Sequence, residues 1–558
     1  MGRFRRLRRL PVALSLVAAV ALVARLVRLG ARVAHQDEAR VAHWTLHYVA
    51  VDAWQYRPII HGPFLPHVNG VVFNALGPSD FTARLVVGVV GGLFPLVAWL
   101  FRSRLRDAEV LALAFLLAFN PVLVYYSRFM RNDVLLAAFA VTALGLFVRA
   151  IDTGKARYLL LGAPVFGLAA TTKENVLLYP IAWLGALLLV GDYRLLAARH
   201  RAVAPLTVVK RTLRDVIRGL WRWKVPIVVG AVELVVVFVA FYAPKPDLYQ
   251  ALANPTQLPA VLEAATVGTG EEFLDLWGGT RMQEHSTIEF LGHLIAVVLI
   301  GGATTVAFSI LGFLGNRYGE DGSRPLVAFA FYWGAASLVG YAIVSDIKAG
   351  WTAVHVLVPL AIPAAVGIAW VHRRLRAGIA SGDRRTAAIA ALLLVLAVTT
   401  PVGVAVSTSY VAPQSADNPL VQYAQPAGDM KPTLREIESI SERNEGVDVM
   451  FYGEEFYAAD EADGEATLDI ESGGHDGWFE RLPLPWYFAQ YDATVSSTKS
   501  PAHLDESQPP VVIAKEKHAD EVATRLDGYR RVTHQGYLYD RPLVFFLEPE
   551  PDALNRPR

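Results

Sequence analysis

Two adjacent carboxylates, Asp37 and Glu38, follow the first long apolar run of the chain, where a membrane-crossing helix would return to water. Three later turns repeat the same residue types. They are Ser127-Arg128-Phe129-Met130-Arg131-Asn132-Asp133, Thr172-Lys173-Glu174-Asn175, and Asp346-Ile347-Lys348-Ala349-Gly350-Trp351 with His355 one turn beyond. Carboxylates beside Arg or Lys and aromatic rings could take a proton from an acceptor while cations hold an anionic leaving group. Any one such turn is ordinary for a helix end; four on one membrane face point to chemistry. Asp37-Glu38 lacks the spaced third and fourth oxygen ligands of a closed divalent-cation site. The five histidines of residues 35–80 (His35, His43, His47, His61 and His67) contain no His-x-x-x-His with an intervening Glu, so no metal ligand is assigned. With no cysteine, disulfides, thiolate metal sites and cysteine nucleophiles are excluded.

The elements that must position these residues are membrane spans. The 558 residues are 54% hydrophobic and 18% charged, too apolar for a soluble domain and long enough for many spans plus an appended domain. Runs able to cross a hydrocarbon layer of ~30 Å lie at about 11–34, 81–101, 108–126, 133–150, 158–172, 175–191, 225–243, 289–314, 324–345, 352–371 and 386–406. Arg3, Arg5, Arg6, Arg8 and Arg9 precede the first run, and later basic connections carry Arg102, Arg104 and Arg106, then 149–157, then 192–224, then 373–385. By the positive-inside rule these are cytoplasmic, so the amino terminus is inside and, with eleven spans, the tail outside. Residues 1–34 are expected to span and not to be a cleaved signal, because Arg25 and Arg28 interrupt the run. Those two arginines would either snorkel to the interface or contact a lipid phosphate. Residues 35–80, rich in Trp, Tyr and His, are expected to lie along the membrane, with a short helix over 65–76. Gly88-Val-Val-Gly-Gly92 has small-residue packing spacing. Glu233 and His293, within spans, should face the bundle interior.

Charge divides the chain. From Ser407 onward lie 28 of the 51 acidic but only 13 of the 52 basic residues, and just 10 of those 52 are Lys. An acid-rich, Arg-over-Lys chain suggests a proteome adapted to high salt. The expected domains are a transmembrane domain over 1–406 and an acidic extracytoplasmic α/β domain over 407–558. In the latter, helices at 430–444 and 517–527 alternate with strands at 447–452, 511–514, 529–535 and 542–548. Pro483-Leu-Pro-Trp486-Tyr487-Phe488 could stack on sugar, dip into lipid or pack in a core.

On these residues the chain resembles the GT-C superfamily of polyprenyl-phosphate-dependent membrane glycosyltransferases, the class of protein O-mannosyltransferases and bacterial aminoarabinose transferases. It resembles more closely the archaeal flippase-activity-associated proteins of surface-glycoprotein N-glycosylation. The matching marks, within about residues 10–406, are Asp37-Glu38, His61-Gly62-Pro63, Phe81-Thr-Ala-Arg84-Leu and Ser127-Arg128 through Asp133, with Lys348, Trp351 and His355 fitting the archaeal branch. The resemblance implies an all-α polytopic bundle of about eleven helices with a soluble α/β tail. It also implies an extracytoplasmic site using a polyprenyl (dolichyl) phosphate-linked sugar. Asp37 would be the general base and Glu38 would position the acceptor, a lipid-linked glycan or protein. His61, Arg84, Arg128, Arg131, Asp133, Lys173, Lys348, Trp351 and His355 would bind substrate. His61-Gly62 departs from the His-Pro-Pro of relatives, and a divalent cation stays open because some members use one and others do not. The partners implied are the carrier lipid, the acceptor and the bilayer, with no nucleic acid. The alternative is a non-catalytic flippase accessory that handles the same lipid-linked sugar.

Overall fold

The structure, a computed structural model, describes residues 2–200, 204–277, 286–319, 323–345, 347–422, 424–458, 477–538 and 541–549; Asp346 lies outside them. In chain order the helices are α1 (Gly2–Leu26), α2 (Gln36–Val51), α3 (Phe64–Leu76), α4 (Asp80–Leu93), α5 (Asp107–Phe119), α6 (Pro121–Tyr126), α7 (Asp133–Thr153), α8 (Ala156–Ala170), α9 (Leu178–His200) and α10 (Pro205–Tyr242). Short helices α11 (Asp247–Ala253), α12 (Leu258–Glu263) and α13 (Thr269–Trp277) precede α14 (Thr287–Tyr318), α15 (Pro325–Val344), α16 (Val354–Ser381) and α17 (Arg384–Val406). The chain is a multi-pass membrane protein. Among the described residues nine helical segments are long and apolar enough to cross a membrane. All eleven expected spans are built on helix, the first ending at Leu26 and not at 34, and two fall short of that length: α8, of 15 residues, and 108–126, which Asn120-Pro121 splits into α5 and α6. The basic stretch 192–224, read as a connection, is largely helical: α9 runs on to His200 and α10 starts at Pro205, a residue suited to a first turn.

The chain forms two compact units, one of Met1–Val27, His61–Phe64 and Leu85–Val411, the other of Arg28–Ile60, Leu65–Arg84 and Ala412–Arg558. In the first, α14 and α16 meet through glycine: a Cβ on Gly312 would lie 1.9 Å from the Pro363 carbonyl oxygen. Gly92 likewise abuts Leu22 of α1, as its small-residue spacing suggested. Arg25 neither snorkels nor reaches for a lipid phosphate. It is fully buried, and its Nη1 and Nη2 donate to the carbonyls of Ala118 at 2.9 Å and Leu117 at 3.3 Å. The break in α5 explains this. Pro121 has no N–H for Leu117, and the Val122 N–H that would serve Ala118 is taken by Asn120 Oδ1 at 3.0 Å. Arg28 is exposed. Glu233 and His293 are half-buried, and Glu233 Oε2 is buried without a hydrogen-bond partner among the described residues.

In the second unit five strands, β1 (Val449–Tyr452), β2 (Val495–Thr498), β3 (Val511–Lys515), β4 (Arg530–Tyr537) and β5 (Arg541–Leu547), form a sheet of order β2-β1-β3-β5-β4. β1 is parallel to β2 and β3, with Val449 opposite Val495 and Val511; β5 runs antiparallel to β3 and β4. Helices α18 (Met430–Ser441), α19 (Gly477–Glu480), α20 (Leu484–Gln490), α21 (Pro501–Ser507) and α22 (Ala519–Ala523) complete it. Met450, Val512, Ala514, Val544 and Phe546 pack with Leu504 and Val522 in its core. β2 escapes sequence reading because Val-Ser-Ser-Thr is a half-buried polar edge with no apolar alternation. Trp486, Tyr487 and Phe488 are core residues, not a surface platform. Trp486 Nε1 and Tyr487 Oη donate at 2.9 Å to the two oxygens of Asp80, which tie α20 to the start of α4.

Candidate functional site

In the first unit three of the four turns singled out in the sequence meet around Asp133, the first residue of α7. Its carboxylate is 1% exposed. Lys173 Nζ donates to Oδ1 at 3.0 Å, His355 Nε2 lies 3.3 Å from the same oxygen, and Arg131 Nε is 3.5 Å from Oδ2. Each partner is itself positioned. The Arg131 guanidinium lies 3.5 Å above the Trp351 ring, whose other neighbour is Tyr126. His355 stacks on Tyr341 with ring centres 4.5 Å apart, and its Nδ1 is 2.8 Å from Tyr179 Oη. With Nε2–H donating to Asp133, Nδ1 accepts the tyrosine O–H. Arg131 and Lys173 thus face the Asp133 carboxylate in a buried place, with Glu174 the second acid of the group.

Beside it His61 Nδ1 lies 3.2 Å from Glu174 Oε2. Burial pushes the His61 imidazole below its ordinary pKa and the neighbouring Lys173 ammonium pushes it further, against the pull of Glu174. The departure at Gly62 has a structural cause. Its N–H donates to the Thr172 carbonyl at 3.1 Å, and a Cβ there would lie 2.3 Å from the Thr171 carbonyl oxygen. Proline could make neither contact. Among the described residues, three buried acceptor oxygens in these turns, Asn132 Oδ1, Asp133 Oδ2 and Asn175 Oδ1, receive no hydrogen bond. Buried acceptors left without donors are uncommon and suit a ligand rich in hydroxyl groups. Sequence reasoning passed over Tyr179 and Tyr341, which sit inside apolar runs that give no polar signal.

Arg128 and Lys348 lie elsewhere in that unit. Arg128 Nη1 donates to the carbonyls of Ala24, Arg25 and Val27, closing the carboxyl end of α1, and the guanidinium rests over Tyr410. Lys348 pairs with Glu289, both well exposed.

In the second unit Asp37 and Glu38 stand in the first turn of α2, where the helix dipole favours negative charge. His35 caps the helix: its Nδ1 accepts the Asp37 N–H at 3.1 Å, leaving Nε2–H to donate to Gln422 Oε1. Asp37 is 17% exposed, with Arg40 Nη2 3.1 Å from Oδ1. Glu38 is buried. It accepts from Arg84 Nε at 2.8 Å and Nη2 at 3.0 Å, from Arg32 Nη2 at 2.8 Å and from the His35 N–H at 3.0 Å. Burial alone would raise the Glu38 carboxyl, but Arg32 and Arg84 hold it well below the usual carboxylate range. Arg84 Nη1 donates to the carbonyls of Leu29 and Arg32, so Arg84 is built into this loop as its organising cation. Among the described residues no three His, Asp or Glu side chains gather as a metal site.

Two family models match the chain: a dolichyl-phosphate-mannose-protein mannosyltransferase model over residues 60–209, and the C-terminal domain of Agl23 flippase-associated proteins over residues 430–548. The first match takes in His61, Arg84, Arg128, Arg131, Asp133 and Lys173, and the second the sheet. Among solved structures, ArnT from Cupriavidus metallidurans bound to undecaprenyl phosphate is similar, at 18% identity and a TM-score of 0.55, covering 95% of this chain and 97% of ArnT. The apo form of that protein matches at 17% identity and a TM-score of 0.56, covering 98% and 99%. At such identity the likeness is one of fold. No curated protein matches.

Proposed function

Because the chain is a GT-C superfamily membrane protein related to the Agl23 flippase-associated family, we propose that it is a glycosyltransferase using a polyprenyl phosphate-linked sugar. The acceptor is a lipid-linked glycan or protein at the extracytoplasmic face. The acceptor oxygen attacks the anomeric carbon, the bond from that carbon to the phosphate oxygen breaks, and the lipid phosphate leaves with the electron pair. The observation that carries the reading is the buried cluster at Asp133, in which Arg131 and Lys173 supply positive charge beside the Asn132 and Asn175 side-chain oxygens, which receive no hydrogen bond among the described residues. Arg131 and Lys173 stabilise the departing phosphate, while Asn132, Asp133 and Asn175 accept from sugar hydroxyls. Asp37, partly exposed at the start of α2, is assigned from the family resemblance alone as the base that takes the acceptor proton. The carrier is taken as dolichyl phosphate and the setting as a halophilic archaeon, which the acid-rich tail fits. The amino terminus is assigned to the cytoplasm and the tail to the exterior from the basic connections.

The match to the Agl23 C-terminal domain favours a second reading, a non-catalytic protein that binds the same lipid-linked sugar. Sugar transfer and donor binding by the purified full chain separate the two. Asp37→Asn is expected to lower turnover by about 100-fold or more with donor binding intact, and Lys173→Gln to weaken donor binding by about 10-fold or more. Donor binding by the wild-type chain without turnover supports the second reading. Transfer unaltered by Asp37→Asn removes the base assignment.

A further inference from the structure

The amino-terminal half of α10 carries a feature that sugar transfer does not use. At 1.5 Å per residue the 38 residues of α10 extend about 57 Å, nearly twice a hydrocarbon layer of ~30 Å. Its apolar second half, residues 225–242, rises about 27 Å and spans nearly all of that layer, so most of residues 205–224 extends beyond the hydrocarbon. At 3.6 residues per turn, Lys210, Arg211, Arg214, Arg218 and Arg222 fall within an arc of roughly 120°. All five are exposed, and among the described residues none forms an ion pair. Val209, Leu213 and Val216 occupy the adjoining face and line a cavity of about 790 Å³ that is walled by α7, α9 and α15 and open on one side. The cavity runs along α9 from Trp183 to Leu195, about 18 Å. Its walls are apolar apart from Arg104, Asp192 and Thr212, and Arg104 is already paired with Asp152, Nε to Oδ1 2.9 Å. A long apolar slot beside a stripe of five cations, with Asp215 at its margin, matches one kind of molecule: an amphiphile with a hydrocarbon chain and an anionic head.

We propose that this end of the first unit binds an anionic membrane lipid, its phosphate on the Lys210/Arg214/Arg218 stripe of α10 and one hydrocarbon chain in the cavity. The site is independent of the transfer reaction. Charge complementarity commits the occupant to an anionic lipid, because a zwitterionic head would gain little from five cations. The stripe alone would also suit an acidic protein, but such a partner leaves the cavity unexplained.

Native mass spectrometry of the delipidated full chain, titrated with dioleoyl phosphatidylglycerol or dioleoyl phosphatidylcholine, tests this. Phosphatidylglycerol is expected to bind the more tightly, with an affinity that falls as salt rises. Lys210→Gln/Arg214→Gln/Arg218→Gln should weaken it roughly 100-fold, and Arg214→Gln alone, the milder change if the triple variant misfolds, roughly 5-fold. Leu187→Trp, which narrows the cavity, should weaken dioleoyl phosphatidylglycerol and leave dihexanoyl phosphatidylglycerol unchanged. Equal affinity for the two dioleoyl lipids overturns the proposal, as does wild-type binding by a folded Arg214→Gln chain. So does dimerisation that the charge variants abolish, which would assign the stripe to a second copy.

Discussion

Glu38 illustrates how one carboxylate of an adjacent pair is withdrawn from solvent while its neighbour stays within reach of it. Four hydrogen bonds from Arg32, Arg84 and the His35 N–H leave Glu38 little capacity for a substrate, whereas Asp37 keeps part of its surface exposed. Glu38→Gln preserves shape but takes from two buried guanidinium groups the carboxylate they share, and removing one partner of a buried pair costs about 3 kcal/mol. The expected result is a lower melting temperature for the second unit, followed by tryptophan fluorescence, with any loss of activity following the loss of fold. An unchanged melt with a raised KM for the acceptor would restore Glu38 to acceptor positioning. Gly62 makes the same point about reading residues in place. A position that looks like a departure from a family pattern supplies the N–H that Thr172 requires.

At the scale of elements, the break between α5 and α6 and the arginine of α1 form one device. Pro121 and the Asn120 cap leave the Leu117 and Ala118 carbonyls without backbone donors, and Arg25 supplies both bonds from a neighbouring helix. Arg25→Met removes those donors where water cannot replace them, at a cost on the order of 1–3 kcal/mol per unsatisfied carbonyl. Pro121→Ala restores an N–H for Leu117, so Arg25→Met should be less damaging on that background. A double-mutant cycle of thermal stability in detergent is expected to show coupling of about 1 kcal/mol. Strict additivity would mean that Arg25 does not act through this break. Arg128 serves α1 in a comparable way, which is why a cation next to a helix end in sequence was no guide to whether it meets phosphate or carbonyl.

Across the whole molecule, the apolar runs declared the helices, since length and hydropathy are local properties. The residues gathered at Asp133 were legible for a related reason: Arg131, Lys173, Trp351 and His355 all sit at span ends that topology places on one face. The composition of the second unit was not legible. Residues 28–60 and 65–84 join the tail through pairs some 400 positions apart, such as Asp80 with Trp486, and no local pattern announces a partner so distant. One such pair makes the unit sensitive to acid. His43 of α2 lies against α20, its Nδ1 3.3 Å from the Pro485 carbonyl and its ring 5.0 Å from that of Trp478. Burial pushes this imidazole down to about 4, with the Pro485 carbonyl opposing and His47 assisting. The unfolded chain therefore binds a proton near pH 6.5 that the folded unit refuses until about pH 4, so stability falls as pH drops through that window and is level above it. The loss should approach 3 kcal/mol at its acid end. Glu38, held below the usual carboxylate range, adds a separate loss that begins only under pH ~4.5. Thermal melts from pH 7.5 to 4.5 are expected to slope in the wild-type chain and to flatten markedly in His43→Gln. An equal slope in both would assign the acid sensitivity to other groups and leave His43 a packing residue.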